Sequence, residues 1–324
     1  MIWSRTRRVE ISTKGELVMS NNRLIWLNSK IIPLGEATIN VLSPTSQFGA
    51  NVFEGIRCYW NEEDKQLYAF KLDEHLKRLK NSIKMFRMED KYTIEELKQG
   101  FIDTVRANNY KEDIAVRQTV FIDGFGSWMS PGPISMFIAP IAKSRIDIEK
   151  VNGMKCCISS WERISDRNLS PKVKVGANYI NSRMAQMEAL ENGYDSAIFL
   201  NNQGKVSEGP GSCLFMVRDN KLITPPITAS ILESITRDTI IQLAKEVLNI
   251  EVVEREIDRT ELYICDEAFL CGSAMEITPV INVDGIEISD EVKGSISKEI
   301  HKTYIETATG KKEDYKKWLT AIYV

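Results

Sequence analysis

Hydrophobic period is the strongest constraint in this sequence. Apolar residues alternate at period 2 through short runs, switch to helical spacing, and switch back, first before and then after a charged segment at residues 142–149. Residues 24–27 and 31–32 read as short strands around an Asn28-Ser29-Lys30 turn, and residues 52–71 give two more around 61–64. Over residues 72–86 the spacing becomes helical, with Leu72, Leu76, Leu79, Ile83 and Phe86 on one face. A second helix is expected over residues 93–108, where Thr93 as N-cap and Glu96 three residues on make a capping box. Strands follow at residues 114–122 and 134–141. Beyond the charged segment, strands are expected at 154–160, 196–200, 213–217 and 221–224, helices at 181–191 and 234–248, and a hairpin at 283–286. Such a pattern excludes a helical bundle and a plain sandwich, and predicts an α+β chain of two sheet-containing halves. The expected divisions are a leader at 1–18, a smaller N-terminal domain at 19–142, a linker at 143–150 and a larger C-terminal domain at 151–324. The groove between two such halves is the expected place for function.

Composition narrows the chemistry. Forty-two Lys and Arg against 45 Asp and Glu leave a net charge of −3, which argues against a basic nucleic-acid binder. No run approaches eighteen apolar residues, so no membrane span is expected. The two histidines, His75 and His301, lie far apart, so no metal site is expected and a Ser-His-Asp triad would have to use one of them. The six cysteines form no C-x-x-C and read as small buried hydrophobes in a reducing compartment, hence a cytoplasmic protein. The first eighteen residues lack the apolar core of a secretory signal, and Lys14-Gly15-Glu16 can be encoded by a ribosome-binding sequence. Met19 is therefore the expected start.

Three segments carry chemistry. Lys174 precedes the helix expected from residue 181; a desolvated lysine there can form a Schiff base, with Lys172 as an immediate competitor. Glu208 lies in the Gly-rich Ser207-Glu-Gly-Pro-Gly211 turn, where a carboxylate can approach a flat cofactor and keep a pyridine nitrogen protonated. Residues 230–238 open a helix whose free N–H groups and hydroxyls suit a phosphate. The loop at 123–133 is rich in Gly and Pro, yet carries Phe125, Trp128 and Met129.

Six motifs in order carry a resemblance: Val52-Phe-Glu-Gly-Ile-Arg-Cys-Tyr59, Glu74-His-Leu-Lys-Arg-Leu79, Lys174-Val-Gly-Ala-Asn-Tyr179, Ser207-Glu-Gly-Pro-Gly211, Ile231-Leu-Glu-Ser-Ile-Thr-Arg-Asp238 and Cys271-Gly-Ser-Ala-Met-Glu-Ile-Thr-Pro-Val280. From about Trp26 to about Trp318 the chain resembles the class IV, fold-type IV pyridoxal phosphate enzymes, most closely the branched-chain amino acid aminotransferase family. The resemblance implies a two-domain α+β fold whose C-terminal domain holds a barrel-like sheet, with pyridoxal 5′-phosphate as cofactor. It implies Lys174 as the Schiff-base lysine and general acid/base, Tyr179 on the cofactor's phenolic oxygen and Glu208 on its pyridine nitrogen. Arg78, Leu232, Ile235, Thr236 and Ser273 follow as further cofactor contacts, with Phe53, Arg117 and Ala274 facing substrate and His75 in a structural role. The implied reaction is ping-pong transfer of an amino group between an L-amino acid, branched-chain or otherwise hydrophobic, and 2-oxoglutarate. A homodimer or larger assembly is implied too, with the loop at 125–129 against a neighbouring subunit.

The wording departs from the family around the substrate. Ala115 stands where a tyrosine is usual, Gln47-Phe48-Gly49 replaces His-Tyr-Gly, and the aromatic common in the family's interdomain loop is either replaced by Ile141 or absent. Glu233-Ser234 brings a carboxylate to the phosphate end. The alternatives are a transaminase of D-amino acids or amines, a lyase of the aminodeoxychorismate-cleaving type, and a non-catalytic binding protein.

Overall fold

The protein is described as a computed structural model covering residues 23–288 and 295–323; the leader and Met19 lie outside the described residues. The chain begins with a hairpin of β1 (Leu24–Leu27) and β2 (Lys30–Pro33). Its turn is two residues long, Asn28 and Ser29 both having positive φ, and Lys30 pairs with Leu27 instead of belonging to the turn as the sequence implied. A short helix, α1 (Pro44–Phe48), leads into β3 (Asn51–Asn61) and β4 (Gln66–Phe70). Helices α2 (Leu72–Met85) and α3 (Ile94–Asn108) follow, then β5 (Ile114–Ile122) and β6 (Ile134–Ala142). Both hydrogen bonds of the expected capping box at Thr93 and Glu96 are formed. Four residues of the apolar stripe of α2, Leu72, Leu76, Leu79 and Ile83, are at most 1% exposed. Each contributes roughly 1.5–3 kcal/mol of burial, which makes tertiary packing the main support of that helix.

The second half contains β7 (Met154–Ile158), α4 (Tyr179–Glu191), β8 (Ser196–Ile198), β9 (Cys213–Arg218) and β10 (Lys221–Thr224). It continues with α5 (Ile235–Glu246), β11 (Val252–Glu254), β12 (Glu267–Gly272), β13 (Glu276–Val283) and β14 (Ile286–Glu287), and ends with α6 (Ser295–Ala308) and β15 (Leu319–Ala321). Two sheets result. The first is antiparallel, in the order β15-β4-β3-β5-β6-β1-β2, and α2 and α3 close its core. The second is mixed, in the order β11-β10-β9-β12-β13-β7-β8, with α5 and α6 packed on one face. β15 returns from the end of the chain to pair with β4, so residues 319–321 belong to the first sheet although they follow the second in sequence. Tyr59, Phe70 and Trp318 join the core of α5 and α6, which welds the two sheets together. All six cysteines are buried and free. No helix among the described residues is long and apolar enough to cross a membrane.

Candidate active site

Strand alternation divides the work of β3. Phe53 and Gly55 face a cavity between the sheets, whereas Glu54, on the opposite face, points to α2. Helical spacing puts His75 and Arg78 on the same side of α2, one turn apart, and both meet Glu54. The Arg78 guanidinium donates from Nε and Nη2 to the two Glu54 oxygens at 2.7 Å, and His75 Nδ1 lies 2.7 Å from Oε2. Burial would raise the Glu54 carboxyl, but Arg78 and His75 outweigh it and hold it well below the usual carboxylate range. Burial pushes His75 down, against the pull of Glu54; since an ionised carboxylate can only accept, Nδ1 carries the hydrogen in this contact. Nη1 of Arg78 gives one bond to the Glu233 carbonyl at 2.8 Å, which leaves the guanidinium with hydrogens to spare at the cavity.

Lys174 sits on a loop stitched to β3. The start of β3 reaches beyond the end of β4 and bonds this loop instead: Phe53 N donates to Lys174 O at 3.0 Å, and Val52 bridges Val175. Lys174 N donates to Ser82 Oγ at 3.2 Å, and the Asn178 amide closes the loop onto the carbonyls of Ser170 and Val173. At Gly176 a Cβ would come within 2.6 Å of the Asn51 amide, so a larger residue would push aside that amide and its bond to Thr45. Lys174 Nζ donates to the Tyr179 hydroxyl at 2.9 Å and stands 5.0 Å from the centre of the Phe53 ring. Lys172, the rival from sequence, instead binds the Ile227 carbonyl and the Glu233 carboxylate at 3.0 Å. That ion pair draws the Glu233 charge away from the start of α5, where it had looked unhelpful.

Glu208 is buried beneath the cavity. Its Oε1 pairs with Arg163 Nη2 at 2.6 Å, and its Oε2 accepts from Leu232 N at 3.2 Å and from Cys213 Sγ at 3.8 Å. Burial pushes this carboxyl up, while Arg163 and the Leu232 N–H oppose by favouring the carboxylate. At the other end, Ser234 caps α5 by accepting from Arg237 N.

The cavity measures about 300 Å³. Phe53, Arg78, Arg117, Lys174, Tyr179, Glu208, Leu232, Ile235, Ser273 and Ala274, all singled out from sequence, line it. Thr236 does not: its buried side chain turns toward Tyr304, and Ser234 lines the cavity in its stead. Ala115, Phe48 and Ile141 are not among the lining residues either, although Ala115 is one rung from Arg117 on the same face of β5. Among the described residues no carboxylate pairs with Arg117, which stacks 3.9 Å from the centre of the Phe53 ring. Sequence reasoning missed Glu54, Arg163 and Ser212. Glu54 was inside a quoted motif, and its alternation away from Phe53 was the available signal. Arg163 lies in an irregular stretch that gives none. The hydroxyl of Ser212, 5% exposed and without a partner, lines the cavity beside Glu208. A lysine amine, a buried carboxyl with raised proton affinity, and an arginine beside a helix start fit a flat, phosphorylated pyridine aldehyde. No cluster able to hold a metal ion is found among the described residues.

An antiparallel sheet and a mixed sheet enclosing a lysine between an arginine and a buried glutamate define a class of amino-group-transferring enzyme. The amino-transferase class IV family model matches residues 51–283, and the chain belongs to that family. A probable branched-chain-amino-acid aminotransferase from Aquifex aeolicus is 38% identical over 92% of this chain and 96% of its own length. The branched-chain amino acid aminotransferase of Thermobaculum terrenum, solved in its PLP-bound holo form, superimposes with a TM-score of 0.87 at 44% identity, covering 94% of this chain and 99% of its own. The T.th. branched-chain amino acid aminotransferase, complexed with N-(5′-phosphopyridoxyl)-L-glutamate, gives a TM-score of 0.87 at 36% identity, covering 93% of this chain and 98% of its own.

Proposed function

We propose that this protein is a pyridoxal 5′-phosphate-dependent aminotransferase moving the amino group of a hydrophobic L-amino acid, the branched-chain ones included, to 2-oxoglutarate. The observation that carries the reading is the convergence on one cavity of the Lys174 amine, the Tyr179 hydroxyl 2.9 Å from it, and the buried Glu208. Bound to the Lys174 amine, the cofactor supplies an electron sink for the charge that develops at a substrate Cα. Glu208, braced by Arg163, holds the ring nitrogen protonated. Arg78, the N–H groups at the start of α5 and the Ser273 hydroxyl hold the phosphate, with Glu54 fixing the Arg78 fork. Tyr179 would orient Lys174 Nζ, which, once displaced by the substrate amine, would take the proton from the substrate Cα and return it to the cofactor's aldehyde carbon, the second half of the cycle running the same transfer in reverse. Arg117 binds the substrate carboxylate, and Phe53, Ala274 and Met275 give the side chain an apolar wall. The names of the relatives support a branched-chain donor, and the glutamyl adduct of one of them supports 2-oxoglutarate as acceptor.

Gly55, paired with Arg117 across β3 and β5, leaves room in the cavity: a Cβ built on it meets nothing within 4 Å. The donor range therefore extends past Val, Leu and Ile to larger hydrophobic side chains. We also read the protein as a homo-oligomer, because Phe125, Trp128 and Met129 are 75%, 70% and 68% exposed on one loop. Sedimentation of wild type and of Trp128→Lys tests this, a monomeric wild type refuting it.

The decisive experiment on function pairs borohydride reduction with turnover on a panel of L- and D-donors and 2-oxo acids. Wild type becomes labelled at Lys174 and requires an acceptor, and Lys174→Ala loses both label and turnover. Turnover by Lys174→Ala, product without any 2-oxo acid, or preference for D-donors overturns the reading.

A further inference from the structure

We infer that the buried pair Arg57–Glu276 is a positioning device for catalysis, holding the turn that lines the cavity against the first sheet and the segment between the halves. The inference rests on the cavity being the site of transamination. It begins with strand alternation: Phe53 and Gly55 reach the cavity, and Arg57 and Tyr59 come next on the same face of β3. Glu276 opens β13 and directly follows Ser273, Ala274 and Met275, which line the cavity from the other sheet.

Arg57 is 2% exposed and Glu276 1%. Arg57 Nη2 donates to Glu276 Oε1 at 2.9 Å, and the Tyr59 hydroxyl donates to the same oxygen at 2.9 Å. Ile146 N donates to Oε2 at 2.6 Å, while Arg57 Nη1 donates to the Lys143 carbonyl at 2.7 Å. Thus one carboxylate gathers donors from β3 and from the segment after β6, and the one guanidinium of β3 reaches both that carboxylate and that segment. Arg145 fastens that segment again through Asp113, with Nη2 to Oδ1 at 2.6 Å. The stretch expected as a plain charged linker is a strap held at 143, 145 and 146.

Glu276 has φ +46°, a left-handed conformation that a residue with a long side chain rarely adopts. Such a backbone persists where surrounding contacts over-determine it, and the three donors to the carboxylate do so. Stability alone is a poor reason for the pair, since apolar residues of like volume are commonly as stable as a buried ion pair. What apolar residues cannot do is hold Glu276 in this conformation, and with it the turn of Ser273 and Ala274. A turn released from its anchor misplaces groups at the reacting centre, and a shift of 1 Å there costs about 10²-fold in rate.

The test compares holoenzyme of wild type, Glu276→Gln, Arg57→Met and the double variant Arg57→Met/Glu276→Met, with cofactor occupancy measured by absorbance. Each single variant unfolds at lower temperature because one buried group loses its partner. The double variant regains thermal stability and full occupancy, yet its kcat/KM stays about 10²-fold below wild type, mainly through kcat. Wild-type kinetics in the stable double variant overturns the inference, as does a loss explained wholly by missing cofactor. Should the double variant not fold, Tyr59→Phe decides, since it removes one hydrogen bond to Glu276 without stranding a charge. A fall of about fivefold in kcat/KM is expected there, and an unchanged value overturns the inference. Lys174→Ala runs alongside: its activity would topple the proposed function, whereas an inactive Lys174→Ala beside an unimpaired double variant topples only the anchor.

Discussion

Replacing Glu54 with Gln tests whether Arg78 is organised by a buried ion pair. The carboxylate is fully buried and receives Arg78 Nε, Arg78 Nη2 and His75 Nδ1, all at 2.7 Å. A Gln of the same shape can accept at one oxygen only, and its NH2 meets a donor. Arg78, itself 13% exposed, is then left without a counter-charge. Breaking a buried pair from one side costs about 3–5 kcal/mol. Urea unfolding of the cofactor-free protein at pH 7, followed by circular dichroism, measures this gap between wild type and Glu54→Gln. The sign with pH follows from the depressed carboxyl of Glu54. Its contribution is complete above the unfolded carboxyl value and is lost as pH falls toward the folded one. The gap is therefore flat from neutral pH down to about 4.3, then narrows by about 1.4 kcal/mol per pH unit. A gap below about 1 kcal/mol at pH 7, or one that does not narrow in acid, refutes a pre-formed Glu54–Arg78 pair.

Three further outcomes follow from the same geometry. Lys172→Ala keeps its turnover, since the proposed reactive lysine is Lys174, but it frees the Glu233 carboxylate beside the start of α5; cofactor affinity falls about two- to fivefold by absorbance titration. Arg117→Met removes the one cavity guanidinium that no described carboxylate neutralises, and KM for both donor and 2-oxo acid rises at least about thirtyfold in steady-state assays. Gly55→Val fits without a clash at its Cβ, so the protein folds, yet the cavity narrows; KM for larger hydrophobic donors rises at least about tenfold while that for small ones changes little.

Legibility in the sequence tracked how local the determining physics is. The stripe of α2 and the capping box of α3 were readable because residues three and four apart settle them. The Lys174 loop was readable from its wording, and Gly176 shows why the wording is strict: its neighbour is the distant Asn51. β12 and β13 passed unread because strands buried on both faces lose their alternation. α1, a single turn, and β15, three residues paired with β4 from across the whole chain, carry no period long enough to read. The resemblance implies Thr236 as a phosphate contact at the helix start; helical rotation turns its side chain inward to Tyr304, which leaves its backbone N–H for that role. Arg163 is set by tertiary contacts, with Glu208, Asn181 and the ring of Phe199, and nothing in the residues around it announces those partners.

The pairing of charges accounts for the division of labour in the cavity. Arg78 is matched by Glu54, Arg163 by Glu208, and Lys172 by Glu233. Each pair joins two separate elements of the chain, so the protein consumes those charges in building its own walls. Two cations at the cavity are left without a carboxylate among the described residues: Arg117, and Lys174 with only the Tyr179 hydroxyl. Both stand over the ring of Phe53, at 3.9 and 5.0 Å from its centre. An amino acid carries a carboxylate and an amino group on adjacent carbons. In the proposed arrangement Arg117 receives the first and Lys174 yields its bonding partner to the second, with Phe53 as the common floor. On that reading the two groups the protein leaves unpaired are the ones whose partner arrives and leaves at every turnover.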